Sequence, residues 1–230
     1  DNEIKTMNYN VNSTLFLLSA IKKFKKDCKF YFAGSSEIFG DPNESPQTEN
    51  TAFNPESMYG ISKLSGYYLV KNYRKKDNIF ACTGIAYNHE SPRRDKRFVT
   101  KKIISSAVKI KMGLQKKLYM GNIDAKRDWG YAPEYVKAMW QILQNKKPED
   151  FIISTGKLHT VREFLNFTFS YLNMDYNKYL VLDKDLFRSS EKKPLCGNYN
   201  KLKKKTGWKS NKKFKNLIKE MINFELKKYQ

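Results

Sequence analysis

Cysteine is scarce and scattered: Cys28, Cys82 and Cys196 are the only three in 230 residues. Their odd number and irregular spacing exclude a disulfide framework and a cysteine-based metal site. Cys28 and Cys82 sit beside or within apolar strand patterns, so buried free thiols and a reducing, cytoplasmic setting are expected. No apolar run approaches the ~20 residues of a membrane-spanning helix. The apolar stretch at residues 15–18 is too short for a secretory signal and belongs to an amphipathic pattern. Acidic residues are also few, 23 against 44 basic ones, which leaves a formal charge of +21. Such a surplus suits nucleic acid, an acidic membrane or a polyanionic small ligand. Yet arginine contributes only seven of the basic residues. The rest are lysines, paired as in Lys22-Lys23, Lys25-Lys26, Lys75-Lys76 and Lys146-Lys147 along polar helix faces. Zinc-finger spacing, an RNP-like motif and a basic zipper are all missing. The charge therefore reads as a solvated, lysine-rich surface, with no specific nucleic acid and no membrane as partner.

What is present centres on two stretches. Lys29-Phe30-Tyr31-Phe32-Ala33 is aromatic and apolar and runs into Gly34-Ser35-Ser36-Glu37, which predicts a buried strand ending in a small-residue loop. If the extended geometry persists, Ser35 and Glu37 point to the same side. Residues 57–70 have helical periodicity and set Tyr59 and Lys63 four apart on one face. A phenol is a poor base at neutral pH, its ordinary pKa being about 10. A neighbouring ammonium favours the phenolate, so phenol and lysine make a proton-transfer pair. A serine hydroxyl could hold the reacting oxygen, and a carboxylate could serve as a second base. Tyr-x-x-x-Lys alone describes many ordinary amphipathic helices. The full order of strand, Ser-Ser-Glu, loop and helix with Tyr-x-x-x-Lys is far more specific.

Periodicity predicts further helices over residues 12–24, 98–112, 133–144 and 212–228, and one opened by a capping box at Thr160 and Glu163 and running to 172. A short helix is expected to end at Thr206-Gly207. Strands are expected over 79–87, 118–121 and 151–154, with polar or aromatic loops at 88–97 and 127–131. Helices alternating with strands imply a parallel sheet covered on both faces. Ligands of such sheets bind beyond the strands' carboxyl ends, where Ser35, Glu37, Asn88 and His89 fall. The C-terminal part shows no second self-contained core pattern and is expected to pack on the sheet.

The strand–Ser-Ser-Glu–helix order, with Asn88-His89-Glu90-Ser91-Pro92-Arg93-Arg94 and Arg127-Asp128-Trp129-Gly130, resembles the extended short-chain dehydrogenase/reductase family and, within it, the GDP-mannose 4,6-dehydratases. The resemblance implies an α/β fold: a Rossmann-like parallel sheet, its N-terminal part missing, over residues 1–97, and a smaller C-terminal α/β substrate-binding region over 98–230. Residues of about 130–155 return to the sheet domain. It implies NADP as an internal redox carrier, GDP-mannose or a related GDP-sugar as substrate, and a homodimer or homotetramer at full length. By the same resemblance Ser35, Glu37, Tyr59 and Lys63 are catalytic, and Tyr59, Lys63, His89 and Arg94 contact the cofactor. Asn88, Arg127, Arg188 and Glu191 hold the sugar nucleotide, and no metal is implied. Two departures stand out. The family's G-x-x-G-x-x-G is not formed by any of the eleven glycines, and Ser189 stands where the family usually has proline. Residue 1 is Asp, so a fragment that binds NADP poorly is expected, because the pyrophosphate lacks its loop and helix terminus. Other readings are an epimerase or reductase of the same superfamily, a non-catalytic fragment that binds a nucleotide-sugar or a partner chain, and, last in order, a basic nucleic-acid-binding module.

Overall fold

The chain opens with helix α1 (Glu3–Met7), a π-helical turn (Asn8–Asn12) and helix α2 (Ser13–Phe24); the computed structural model describes residues 2–187 and 193–229. Strand β1 (Phe30–Ser35) runs into a 3-10 turn at Ser36–Ile38, and helix α3 (Met58–Asp77) follows. Ser57 caps α3, its Oγ accepting from the Gly60 N–H at 3.0 Å. Asn78, with φ +55°, ends the helix after Arg74, Lys75 and Lys76, cations that suit its negative end. Next come β2 (Ala81–Ala86), β3 (Asn88–Glu90), α4 (Val99–Lys111), β4 (Leu118–Met120) and β5 (Lys126–Tyr131). The remainder is α5 (Ala132–Leu143), β6 (Phe151–Ile153), β7 (Leu158–Thr160), α6 (Val161–Tyr171), β8 (Leu180–Leu182), α7 (Asn200–Thr206) and α8 (Phe214–Leu226). The predicted capping box at Thr160 and Glu163 is formed.

Strands β1, β2 and β6 make a parallel sheet with β2 central, and every β2 residue is buried. Alternate residues serve opposite faces, as the pleat requires. Cys82 and Ala86 pack with Tyr135, Ala138 and Ile142 of α5, while Ala81 packs with Val70 of α3. The expected α/β architecture with a doubly covered parallel sheet is what forms. Its strands finish level, because Ser35 pairs with Ala86 and Ala86 with Ile153. A second sheet orders β3-β5-β7, with β3 parallel and β7 antiparallel to β5, and β4 pairs with β8.

Several expectations are corrected. Residues 127–131 belong to a strand rather than a loop, because β5 is hydrogen-bonded on both sides and its polar Asp128 is buried with four donors. Those donors are the Thr155 N–H and Oγ1 and the N–H groups of Gly156 and Gly197. Asn88–Glu90 is likewise a short strand. Cys28 is exposed, while Cys82 and Cys196 are buried. The later residues also build a core of their own. Ile103, Ile104 and Val108 of α4, Phe164 and Phe169 of α6, and Leu217, Met221 and Ile222 of α8 pack with Trp129. Each helix contributes one apolar stripe, so no single segment of sequence displays that core. Among the described residues, no helix is long and apolar enough to cross a membrane.

Candidate active site

The level row Ser35–Ala86–Ile153 brings the chain's polar strand-end groups to one edge of the sheet. Extended geometry stops at Ser35. Its side chain accepts from the Glu37 N–H at 3.3 Å and starts the 3-10 turn, so Ser35 and Glu37 are brought close by a turn rather than by strand alternation. Ser36 and Ile38 are buried on either side of Glu37, which is exposed. Helix α3 starts directly against this turn. At Gly60 a β-carbon would meet the Glu37 carbonyl oxygen at 2.6 Å, so the absence of a side chain there lets Tyr59 approach Ser35 and Glu37.

Tyr59 is 43% exposed and Lys63 lies one turn on, its Nζ 5.6 Å from the Tyr59 ring centroid. Lys63 Nζ donates to the Ala33 carbonyl of β1 at 3.1 Å and sits 5.4 Å from the Phe32 ring centroid. Burial pushes the Tyr59 phenol above its ordinary pKa; the Ser35 hydroxyl and Arg94 act downward and Glu37 upward. This corrects the expectation of a phenol lowered by Lys63. The downward influences come from Ser35 and Arg94, and burial outweighs them. Burial also lowers the Lys63 pKa.

His89 lies on β3 with Nδ1 2.8 Å from the Tyr87 carbonyl and its ring stacked on Tyr135 at 5.0 Å. Burial lowers its pKa, with Arg94 adding in the same direction and the Tyr87 carbonyl opposing. The neutral ring therefore donates from Nδ1, which leaves the Nε2 lone pair as an acceptor. Arg94 acts electrostatically on both Tyr59 and His89. Asn88 pairs with Trp129 and His89 with Gly130. Strand alternation then sets Asn88 and Arg127 on one face of the β3-β5 sheet and His89 on the other. Arg127 donates from Nη1 to the Lys126 carbonyl at 2.7 Å. Arg188 and Glu191 lie outside the described residues. A surface groove bordered by Pro92, Lys212, Lys219 and Phe224 carries none of the predicted site residues.

Sequence reasoning missed Gly60, which permits the helix–turn contact, and Glu90. Glu90 is buried, lies 3.2 Å from Arg94 Nε and accepts from the Thr100 hydroxyl at 2.6 Å. The four-residue spacing of Glu90 and Arg94 was the available signal.

Solved structures share this fold across almost the whole chain. The RMD protein of Pseudomonas aeruginosa, solved with NADPH, superposes with a TM-score of 0.91 at 22% identity, covering 99% of this chain and 76% of its own. UDP-glucose 4-epimerase of Thermotoga maritima, solved with UDP-glucose, gives 0.88 at 21% identity, covering 100% and 73%. The fold is the Rossmann-like α/β fold of the extended short-chain dehydrogenase/reductases. The family model described as GDP-mannose 4,6 dehydratase matches residues 1–221. GDP-mannose 4,6 dehydratase 1 of Arabidopsis thaliana is 44% identical over 216 residues, covering 92% of this chain and 60% of its own length. The Homo sapiens GDP-mannose 4,6 dehydratase is 41% identical over 232 residues, covering 93% and 62%. The chain belongs to the GDP-mannose 4,6-dehydratase family, and it spans about three-fifths of the length of these two relatives.

Proposed function

We propose that this chain carries the catalytic and sugar-binding part of a cytoplasmic, NADP-dependent hydro-lyase that converts GDP-mannose to GDP-4-keto-6-deoxy-mannose. One observation carries the reading: a carboxylate, Glu37, sits in the turn that follows the strand end presenting Ser35, and the first turn of the Tyr59 helix packs directly against that turn. Moving one proton on and off C4 needs only the tyrosine. Loss of water between C5 and C6 needs a second group, and Glu37 is that group.

Tyr59, once in its phenolate form, takes the proton of the C4 hydroxyl while Ser35 hydrogen-bonds the C4 oxygen. The resulting ketone acidifies the neighbouring C5–H. Glu37 removes that proton and delivers it to the C6 hydroxyl, which departs as water; C6 then regains the hydrogen and two electrons lost from C4, and C5 takes up a proton equal to the one removed by Tyr59, so that the net change is the loss of one water. The nicotinamide, when bound, supplies the two-electron acceptor and donor. The residues present fit its nicotinamide–ribose end. Lys63 commits one of its three donors to Ala33, which leaves others for a ribose hydroxyl. His89 offers an unoccupied acceptor, and Arg94 a cation. Asn88, Arg127, Arg188 and Glu191 would grip the sugar nucleotide, the arginines on its diphosphate. We assign residues 1–97 to the cofactor side and 98–230 mostly to the substrate side, with about 130–155 returning to the sheet. At full length the protein would form a homodimer or homotetramer.

The test fuses a Gly-rich βαβ unit from a relative to the N-terminus and searches by mass spectrometry for loss of water from GDP-mannose. The fused chain should form the 4-keto-6-deoxy product. Glu37→Gln should abolish that product while NADPH still accumulates in a single turnover. Wild-type dehydration in Glu37→Gln removes Glu37 from the mechanism, and a C4-epimerised sugar as the product overturns the dehydratase reading.

A further inference from the structure

His89 is half-buried in the middle of β3, and two direct contacts meet its ring. Its Nδ1 lies 2.8 Å from the Tyr87 carbonyl. Tyr135 of α5 stacks on the imidazole, with ring centroids 5.0 Å apart and planes 28° from parallel, within the range that favours aromatic pairs. Tyr135 is itself held on its other sides. It is fully buried, and Trp208 meets it edge-on at 6.0 Å. It also lies against Gly130, where a β-carbon would come within 2.2 Å of the Tyr135 Cε2. Gly130 is the register partner of His89. Glycine weakens a strand interior, and here its missing side chain makes room beside His89 for the Tyr135 ring. The Tyr135 hydroxyl is buried and, among the described residues, has no hydrogen-bond partner. A buried hydroxyl without a partner is a cost, so what tyrosine contributes at this position is its ring.

We propose that Tyr135 is a positioning residue for His89: its ring backs the imidazole and, with the Tyr87 carbonyl holding Nδ1–H, keeps the Nε2 lone pair in one orientation for the nicotinamide–ribose end of the cofactor. This rests on the reading of His89 as a cofactor contact. A neutral imidazole can carry its proton on either nitrogen, and the bond made by one nitrogen decides which. A ring held only through Nδ1 can rotate away from that bond and protonate at Nε2, which turns the acceptor into a donor. A ring backed across one face gives up the stack if it rotates. Ring support and carbonyl therefore act together, and removing the first should weaken the second.

The chain has two histidines, His89 and His159, so nitrogen NMR of the unliganded 230-residue chain with isotope-labelled histidine reads two rings, assigned with His159→Gln. His159 stacks on Phe214 and serves as the internal reference. Spectra are taken at about pH 8, above the ordinary histidine pKa of about 6.5. Wild-type His89 should be neutral and protonated at Nδ1. Tyr135→Phe keeps the ring and should leave that signature unchanged. Tyr135→Leu should raise the Nε2-protonated population roughly two- to tenfold, the span that one ring contact is worth, with His159 unaffected. Gly130→Ala displaces the Tyr135 ring and should move the signal the same way; it decides the matter if Tyr135→Leu fails to fold by circular dichroism. In the chain fused to the Gly-rich unit, Tyr135→Leu should weaken NADPH binding by a similar factor, and Tyr135→Phe should not. A wild-type ring protonated at Nε2, a folded Tyr135→Leu chain that keeps the Nδ1 form, or a Tyr135→Phe chain that loses it overturns the proposal. So does an equal change at His159, an unmoved signal in Gly130→Ala where Tyr135→Leu does not fold, or undiminished NADPH binding in Tyr135→Leu. Because no substrate or turnover enters these measurements, their failure leaves the dehydratase reading standing. Absence of product from the fused chain, with the spectra and NADPH binding as expected, removes that reading alone.

Discussion

Two regions meet at the strand ends, and they are held by different means. On the β1–α3 side, Ser35, Glu37, Tyr59 and Lys63 are placed by backbone devices: a 3-10 turn, a serine cap and a glycine that admits a carbonyl. The Glu37 and Tyr59 side chains, which would do chemistry there, bear little of the structure, whereas Ser35 and Lys63 each also make one local hydrogen bond. On the β3–α4–α8 side, Arg94 and the segment that carries it are placed by buried charge: Glu90 with Arg94 and Thr100, and Lys101 with Glu225, the last pair only 3% and 2% exposed. Backbone positioning leaves a functional side chain replaceable without structural loss. Positioning by buried ions makes function and stability inseparable, because one partner cannot be removed without stranding the other.

Lys101→Met tests that difference hardest. It leaves the buried Glu225 carboxylate with only the more exposed Lys228, and urea denaturation should show a loss of about 3–5 kcal/mol. Tyr59→Phe, on the other side, should change stability by no more than about 0.5 kcal/mol. Replacing both partners, Lys101→Met with Glu225→Leu, should regain most of the loss, because apolar pairs often substitute for buried ion pairs at little cost. A Lys101→Met chain as stable as wild type would dissolve the contrast.

Acid sharpens it further. Burial pushes the Glu225 carboxyl up, but the bonds from Lys101 and Lys228 outweigh it and hold the group below the ordinary 4.5. A lowered carboxyl contributes stability above its unfolded value and loses it as pH falls through the folded one. Glu90 runs the opposite way: burial raises it, so protonation at falling pH favours the fold. Comparing wild type with the Lys101→Met/Glu225→Leu chain isolates Glu225. Wild type should lose more stability as pH is lowered below about 4.5, and equal acid sensitivity of the two chains counts against the assignment. A modest loss is expected at the cap. Ser57→Ala should cost about 1 kcal/mol in thermal or urea unfolding, and no measurable change would mean that α3 is positioned by packing alone.

The same division governs how much could be read from sequence. Tyr59 and Lys63 were legible because both lie on one helix at i, i+4 spacing, and β2 because a doubly covered strand is continuously apolar. The capping box at Thr160 is local as well. The strand at residues 126–131 was not legible. Its buried Asp128 breaks the apolar pattern, and its compensating donors come from residues 155, 156 and 197. The core shared by α4, α6 and α8 was hidden for a related reason, since each helix shows only an ordinary amphipathic stripe. A loop after the strand was legible from its small residues, but its 3-10 form was not, because two alternating polar residues look the same in a strand and in a tight turn.

The link between Lys101 and Glu225 also sets a timetable. The β1–α3–β2 unit joins residues close in sequence and can form as soon as it is synthesised. Lys101 must wait for a residue 124 positions later. At about 5–20 residues per second, that separation is on the order of ten seconds of translation. Throughout that interval a nascent chain already carrying Tyr59 and Lys63 holds a buried-type lysine with no carboxylate to meet it. The second region is therefore where a ribosome-bound intermediate is most exposed to proteases and chaperones, and residue 225 is the position whose arrival ends that exposure.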